Sequence, residues 1–179
     1  MSAESRRSST QVAPRKRCRR ANKKVCGKGG MKSTDSPDAS MLHNRAEKDV
    51  YCLLIDAYRL RVEDNYNLDG EVDADSLYGG QPNGLQGFKR FLRLAGSRSG
   101  LLPPLWNAEK QRECEAFGMD DSLAQFQDLR CAVEKSDIIA HYGDQRFPVQ
   151  LRKFAEAVYR RDPGGQDGAG MRKMMAAIE

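Results

Sequence analysis

The stretch Asn65-x-Asn67-x-Asp69-Gly70-x-Val72 sets oxygen donors at alternate positions, with a glycine at the turn and an apolar residue two places on. That is the spacing of a calcium-binding helix–loop–helix. Calcium also takes two oxygens from a carboxylate at the twelfth position, where this chain has Ser76. Gly79, Gly80 and Pro82 stand where the exiting helix should begin. The stretch therefore reads as an acidic loop closed by a glycine turn. Cysteine is the second chemical resource, at Cys18, Cys26, Cys52, Cys114 and Cys131. A structural zinc needs four ligands, usually in two close Cys or His pairs, and the chain has no CxxC pair. Cys52, Cys114 and Cys131 fall in apolar helical patterns and read as small buried residues. With an odd count and no secretory leader in the pattern, the cysteines are expected to be reduced thiols.

The two histidines are His43 and His141. His141 precedes Tyr142-Gly143-Asp144, a helix end where positive charge is favoured. A general base there would need a Ser or Cys nucleophile in a local motif, and none accompanies it. A helix-terminal role is the expectation. Glu113, Glu115, Asp120 and Asp121 read as solvated charge. Gly164-Gly165-x-x-Gly168-x-Gly170 follows a helical pattern instead of a strand and lacks the phosphate-loop lysine, so it reads as a hinge. No catalytic residue is assigned, and the chain is read as a non-enzyme with no cofactor other than a candidate zinc.

Charge locates the part of the chain outside the core. Residues 1–34 hold eleven Lys and Arg against Glu4 alone, a net of +10, which leaves −5 for the rest of a chain whose total is +5. The pI near 9.0 is thus a property of the tail. Residues 1–45 are rich in Ser, Gly, Lys and Arg with no helical period among their few apolar residues. They cannot bury enough to offset the entropy of ordering, and are expected to form a disordered basic tail. Within it Arg15, Lys16, Arg17, Arg19, Arg20, Lys23 and Lys24 form a cluster suited to nuclear import or to nucleic-acid phosphate. Without interleaved aromatics any such binding is salt-sensitive phosphate contact. No run of about 18 apolar residues suggests a membrane span. The expected setting is intracellular, nucleus or cytoplasm.

Residues 46–179 are expected to be a helical domain. Val50, Leu53, Leu54, Ala57, Tyr58 and Val62 recur at spacings of three and four, one face of a helix from Ala46 to about Asp64. Residues 65–83 are read as loop. A second helix covers 85–95 with Phe88, Phe91, Leu92 and Ala95 inward. Leu101 to Trp106 cannot be helical through Pro103-Pro104 and is expected to cross the core, anchored by Trp106. Asn107 makes an N-cap for a helix over 108–117. Amphipathic helices are predicted from Leu123 to about His141, with a break near Ser136-Asp137, and from Val149 to Arg160 after Pro148. Asp162-Pro163-Gly164-Gly165 is a stop, followed by a short helix from Met171 to Ile178. No alternating run argues for a strand. The fold class is all-α, a small irregular helical domain behind the basic tail.

Several segments of this helical part resemble the region that accompanies the finger in fungal MYND-type zinc-finger proteins. They are Leu101-Leu102-Pro103-Pro104-x-Trp106-x-x-Glu109-Lys110-x-x-Glu113-Cys114, Ala132 to Ile139, His141-Tyr142-Gly143-Asp144, and Pro163 to Gly168 with Met171-Arg172-x-Met174-Met175. In that family the finger precedes this region, holds two zinc ions through Cys and His, and works in protein–protein contact, often in transcriptional regulation. Cys18 to Gly27 is similar to the finger's last turn, which makes Cys18 and Cys26 candidate metal ligands of an incomplete site. The upstream cysteine pairs are absent, as are the Trp and His that precede the last Cys. The resemblance thus implies a member that keeps the helical region and has lost the finger. Its implied function is a non-enzymatic protein-interaction module, with Trp106, Phe147 or the Met171–Met175 stretch as contact points. The alternative is a zinc- or nucleic-acid-binding regulatory protein acting through the tail.

Overall fold

The computed structural model describes residues 41–122 and 125–161, and these are helical with no strand among them. Five α-helices appear in chain order: α1 Glu47–Asp64, α2 Leu85–Gly96, α3 Ala108–Phe117, α4 Lys135–Tyr142 and α5 Phe147–Tyr159. The all-α expectation holds for the described residues. The tail residues Cys18, Cys26, Arg15, Lys16, Arg17, Arg19, Arg20, Lys23 and Lys24 lie outside them. So do the expected glycine-rich hinge and the expected helix over Met171 to Ile178.

α1 is the centre of the fold, packed chiefly against α5 and also against α2. Its apolar stripe is buried as the periodicity predicts, but so is every residue from Val50 to Asp64. This departs from a one-faced amphipathic helix and has a physical reason. Charged positions that should face water meet partners from other elements. Arg152 of α5 grips Asp64 with two bonds, at 2.8 and 2.7 Å. Arg61 donates to the Arg161 carbonyl at 2.7 Å and lies over the Tyr159 ring at 5.1 Å. Buried charge tolerates this position because it is paired.

The boundary at residue 46 moves toward the N-terminus: Met41 and Leu42 are buried in the core cluster. α2 presents Phe88, Phe91, Leu92 and Ala95 to the core as expected. Gly87 on the same face lets α1 come close, because a Cβ there would collide with the Tyr58 hydroxyl. Asn107 caps α3 by accepting from the Glu109 and Lys110 amides at 2.9 and 3.0 Å.

The predicted long helix from Leu123 to His141 is corrected. Only Lys135–Tyr142 is helical, and residues 125–134 form an irregular strap. Leu129 explains the strap's course: its amide donates to the Gly118 carbonyl at 2.9 Å and its carbonyl accepts from the Gly84 amide at 2.7 Å. These bonds tie the end of α3 to the start of α2, and a helical Leu129 could not make them. Asp128 turns the chain by accepting from the Arg130 amide at 2.8 Å, the local competition that makes Asp a poor mid-helix residue. α4 starts where Asp137 accepts from the Glu134 amide at 3.0 Å, so the cap is Glu134 with Asp137, close to the predicted break. Leu129, Val133 and Ile138 are buried. α5 begins at Phe147 with Pro148 in its first turn.

Candidate functional site

The calcium-type spacing does not fold into a ligand loop. Asn65–Asp69 continues α1 as a wider helical turn, ended by Gly70 in the left-handed region. Asn67 donates to Glu63 one turn back. Ser76 caps a short helical turn, donating to the Asp73 carbonyl at 2.7 Å and accepting from the Gly79 amide at 3.3 Å. Asp73 and Asp75 hold the Arg90 guanidinium. Among the described residues no three Cys, His, Asp or Glu side chains converge to hold a metal. Cys114 and Cys131 are buried thiols outside any disulfide, and burial pushes the Cys114 thiol up. Cys52, also buried, is disulfide-bonded, against the expectation of a reduced thiol.

Two features gather chemically capable side chains. The first is internal. The Asp56 carboxylate, fully buried on α1, receives donors from Arg59 at 3.0 Å, Gln127 at 2.8 Å and the Tyr142 hydroxyl at 2.7 Å. Arg59 also donates to the carbonyls of Phe126 at 2.8 Å and Cys131 at 3.1 Å. His141, in the last turn of α4, stacks on Phe126 with centroids 4.1 Å apart, and its Nε2 lies 3.4 Å from the Gln127 amide nitrogen. Burial first, then the neighbouring Asp56 carboxylate, pushes the Tyr142 hydroxyl well up. Phe147, a predicted contact point, belongs here instead. It is buried and stacked on Tyr142 at 3.9 Å. Sequence reading missed this centre, since its members come from α1, the strap and α4.

The second feature opens to solvent. Arg45, Glu47, Val50 and Tyr51 at the start of α1, Pro103, Leu105 and Trp106 of the connecting segment, and Lys110 of α3 enclose a cavity of about 180 Å³. The two prolines keep the segment out of helix, and the Trp106 amide closes a turn on the Pro103 carbonyl at 2.9 Å. Leu101 is buried beneath, and His43 Nε2 lies 3.3 Å from the Leu102 carbonyl. Trp106 is half-buried and meets Tyr51 edge-on at 6.2 Å. Leu105 is 85% exposed, the most exposed large apolar residue described.

The polar rim is organised by Lys110, whose ammonium contacts Glu47 at 2.9 Å and Glu113 at 3.0 Å. Tyr51 donates to the same Glu113 oxygen at 2.8 Å. The Lys110 hydrogen bond, then that from Tyr51, holds the Glu113 carboxyl below the usual range. Burial, then Glu113, raises the Tyr51 hydroxyl. Glu113 is therefore a tether between α1 and α3, and Glu115 pairs with Gln111 and Lys89. Neither is the freely solvated charge expected from sequence. No protein-family model, no curated protein and no solved structure matches this chain.

Proposed function

We propose that this chain is a non-enzymatic protein-interaction module of the MYND-like, transcription-related type that its helical region resembles, and that it works through the Trp106 groove. The observation that supports this reading is an aromatic-walled cavity left open, with Leu105 projecting beside it at 85% exposure. Exposed large apolar anchors rimmed by polar residues are the usual means of peptide and protein docking. No helix among the described residues is long and apolar enough to cross a membrane. The test is a photoreactive side chain at position 105, with position 68 as an exposed control, in cells that express the full chain. A discrete adduct from position 105 alone, whose purified partner binds at least tenfold more weakly to Leu105→Asp, would support the reading. Binding that ignores Leu105→Asp would overturn it.

A second reading rests on the eleven basic residues of positions 1–34. In it the tail contacts nucleic-acid phosphate through Arg15, Lys16, Arg17, Arg19, Arg20, Lys23 and Lys24, or recruits zinc through Cys18 and Cys26. It requires DNA affinity that falls steeply with salt, or stoichiometric zinc in the purified chain with helix loss on chelation.

A further inference from the structure

We infer that the Trp106 groove selects a peptide segment with one bulky apolar side chain next to a carboxylate, and that Arg45 reads the carboxylate. The inference rests on the proposed interaction role and adds the chemistry of the partner. Size comes first. The cavity of about 180 Å³ falls short of the roughly 300 Å³ typical of small-molecule sites. An apolar cavity of about 150 Å³ accommodates benzene, so this one suits a single aromatic or leucyl side chain. Its walls of Trp106, Tyr51, Val50, Leu105 and Pro103 supply matching apolar surface.

Charge then separates the candidates. Three charged side chains line the cavity: Glu47, Lys110 and Arg45. Lys110 is neutralised by Glu47 and Glu113, which also occupies Glu47. Arg45 uses only its Nε, which donates to the Met41 carbonyl at 2.7 Å. Its two terminal nitrogens have no hydrogen bond or ion pair with a described residue, and Arg45 lines the cavity. A half-buried guanidinium with a free fork matches one carboxylate in a two-point geometry. A cationic partner would have to displace Lys110 from its two carboxylates. A nucleic-acid strand would bring a row of phosphates past the exposed Glu47 and Glu109 and the half-buried Glu113, and that repulsion disfavours it.

Trp106 is the single tryptophan of the chain, so its fluorescence reports on this groove alone. The probe is the acetylated and amidated hexapeptide Glu-Leu-Phe-Glu-Ser-Gly, compared with versions carrying Gln or Lys in place of both Glu. All are titrated into the full chain at low salt. The Glu peptide should bind about fivefold to tenfold more tightly than the Gln peptide, and the Lys peptide more weakly than either. Arg45→Gln should bring the Glu and Gln peptides within about twofold of each other, with the far-ultraviolet dichroism showing that the helices are retained. Leu105→Asp, at an exposed position, should weaken all three. Equal binding of Glu and Gln peptides would overturn the inference and leave the interaction role standing. A preference for the Lys peptide or for a single-stranded oligonucleotide would overturn it too. If no peptide and no oligonucleotide moves the Trp106 signal, the interaction role falls with the inference.

Discussion

The Asp56 centre and the Trp106 groove are both built on α1, and they treat polar and apolar atoms in opposite ways. At Asp56 both carboxylate oxygens meet donors, from α1, the strap and α4. The aromatic rings around it contact one another, Phe126 with His141 and Tyr142 with Phe147 stacked and His141 edge-on to Tyr142. At Trp106 the aromatic wall faces a cavity, Leu105 faces water, and one guanidinium keeps an unused fork. Polar residues alone do not mark a binding site. In this molecule the richest polar cluster is the closed one, and its role is to fix how three segments distant in sequence meet. The site open to solvent is the poorer in polar groups.

The largest expected effect breaks the closed region. Asp56→Ala leaves the buried Arg59 guanidinium without its carboxylate and should destabilise the chain by about 3–5 kcal/mol, measured by urea unfolding. If the centre were instead a solvated site, the cost would be below about 1 kcal/mol. Gly87→Ala comes next, because its methyl group would collide with the Tyr58 hydroxyl. Forced overpacking of this kind costs about 1–3 kcal/mol, and Tyr58→Phe in the same chain should recover part of the loss.

Alkali should weaken the core more gently. Burial pushes the Tyr159 hydroxyl up to about 12, with the Arg90 charge opposing it, and burial also raises Tyr58 and Tyr142. These hydroxyls hold their protons more tightly when folded than the ordinary value of about 10. Their contribution is therefore complete below that value and lost as pH rises through the folded values. The unfolding midpoint should fall between about pH 10 and 12, and Tyr159→Phe should flatten that fall. The smallest effect on stability belongs to the open region. Leu105→Asp should change unfolding free energy by no more than about 0.5 kcal/mol while removing groove binding, a separation of stability from recognition that the Asp56 centre cannot show.

How much of this was legible in sequence follows from where each signal lives. The limits of α1 and α2, the Asn107 cap and the proline-forced crossing to Trp106 are written in local patterns, and the structure keeps them. The all-round burial of α1 is not local. Asp56, Arg59 and Asp64 look like a solvent face until Gln127, Tyr142 and Arg152, some 70 to 90 residues away, supply their partners. The strap failed for a related reason. Leu129, Val133 and Ile138 carry a helix-like apolar spacing, but Leu129's backbone bonds to Gly118 and Gly84 outweigh it. Gln125 and Gln127, buried without a charge to justify it, were the signal available there. Phe147 after His141-Tyr142 looked like a surface anchor only because the stacking on Tyr142 has no sequence signature. Of the groove, Trp106 was legible, whereas the free guanidinium of Arg45 depends on which carboxylates Lys110 occupies.

The most direct test of the open groove against the closed centre is a pair of nitrogen–proton correlation spectra of the full chain, with and without the Glu-Leu-Phe-Glu-Ser-Gly peptide. The account predicts shifts concentrated on Arg45, Val50, Tyr51, Leu105, Trp106 and Lys110, with Asp56, Gln127 and His141 unmoved. Shifts centred on His141 and Gln127, with the Trp106 indole unchanged, would contradict it.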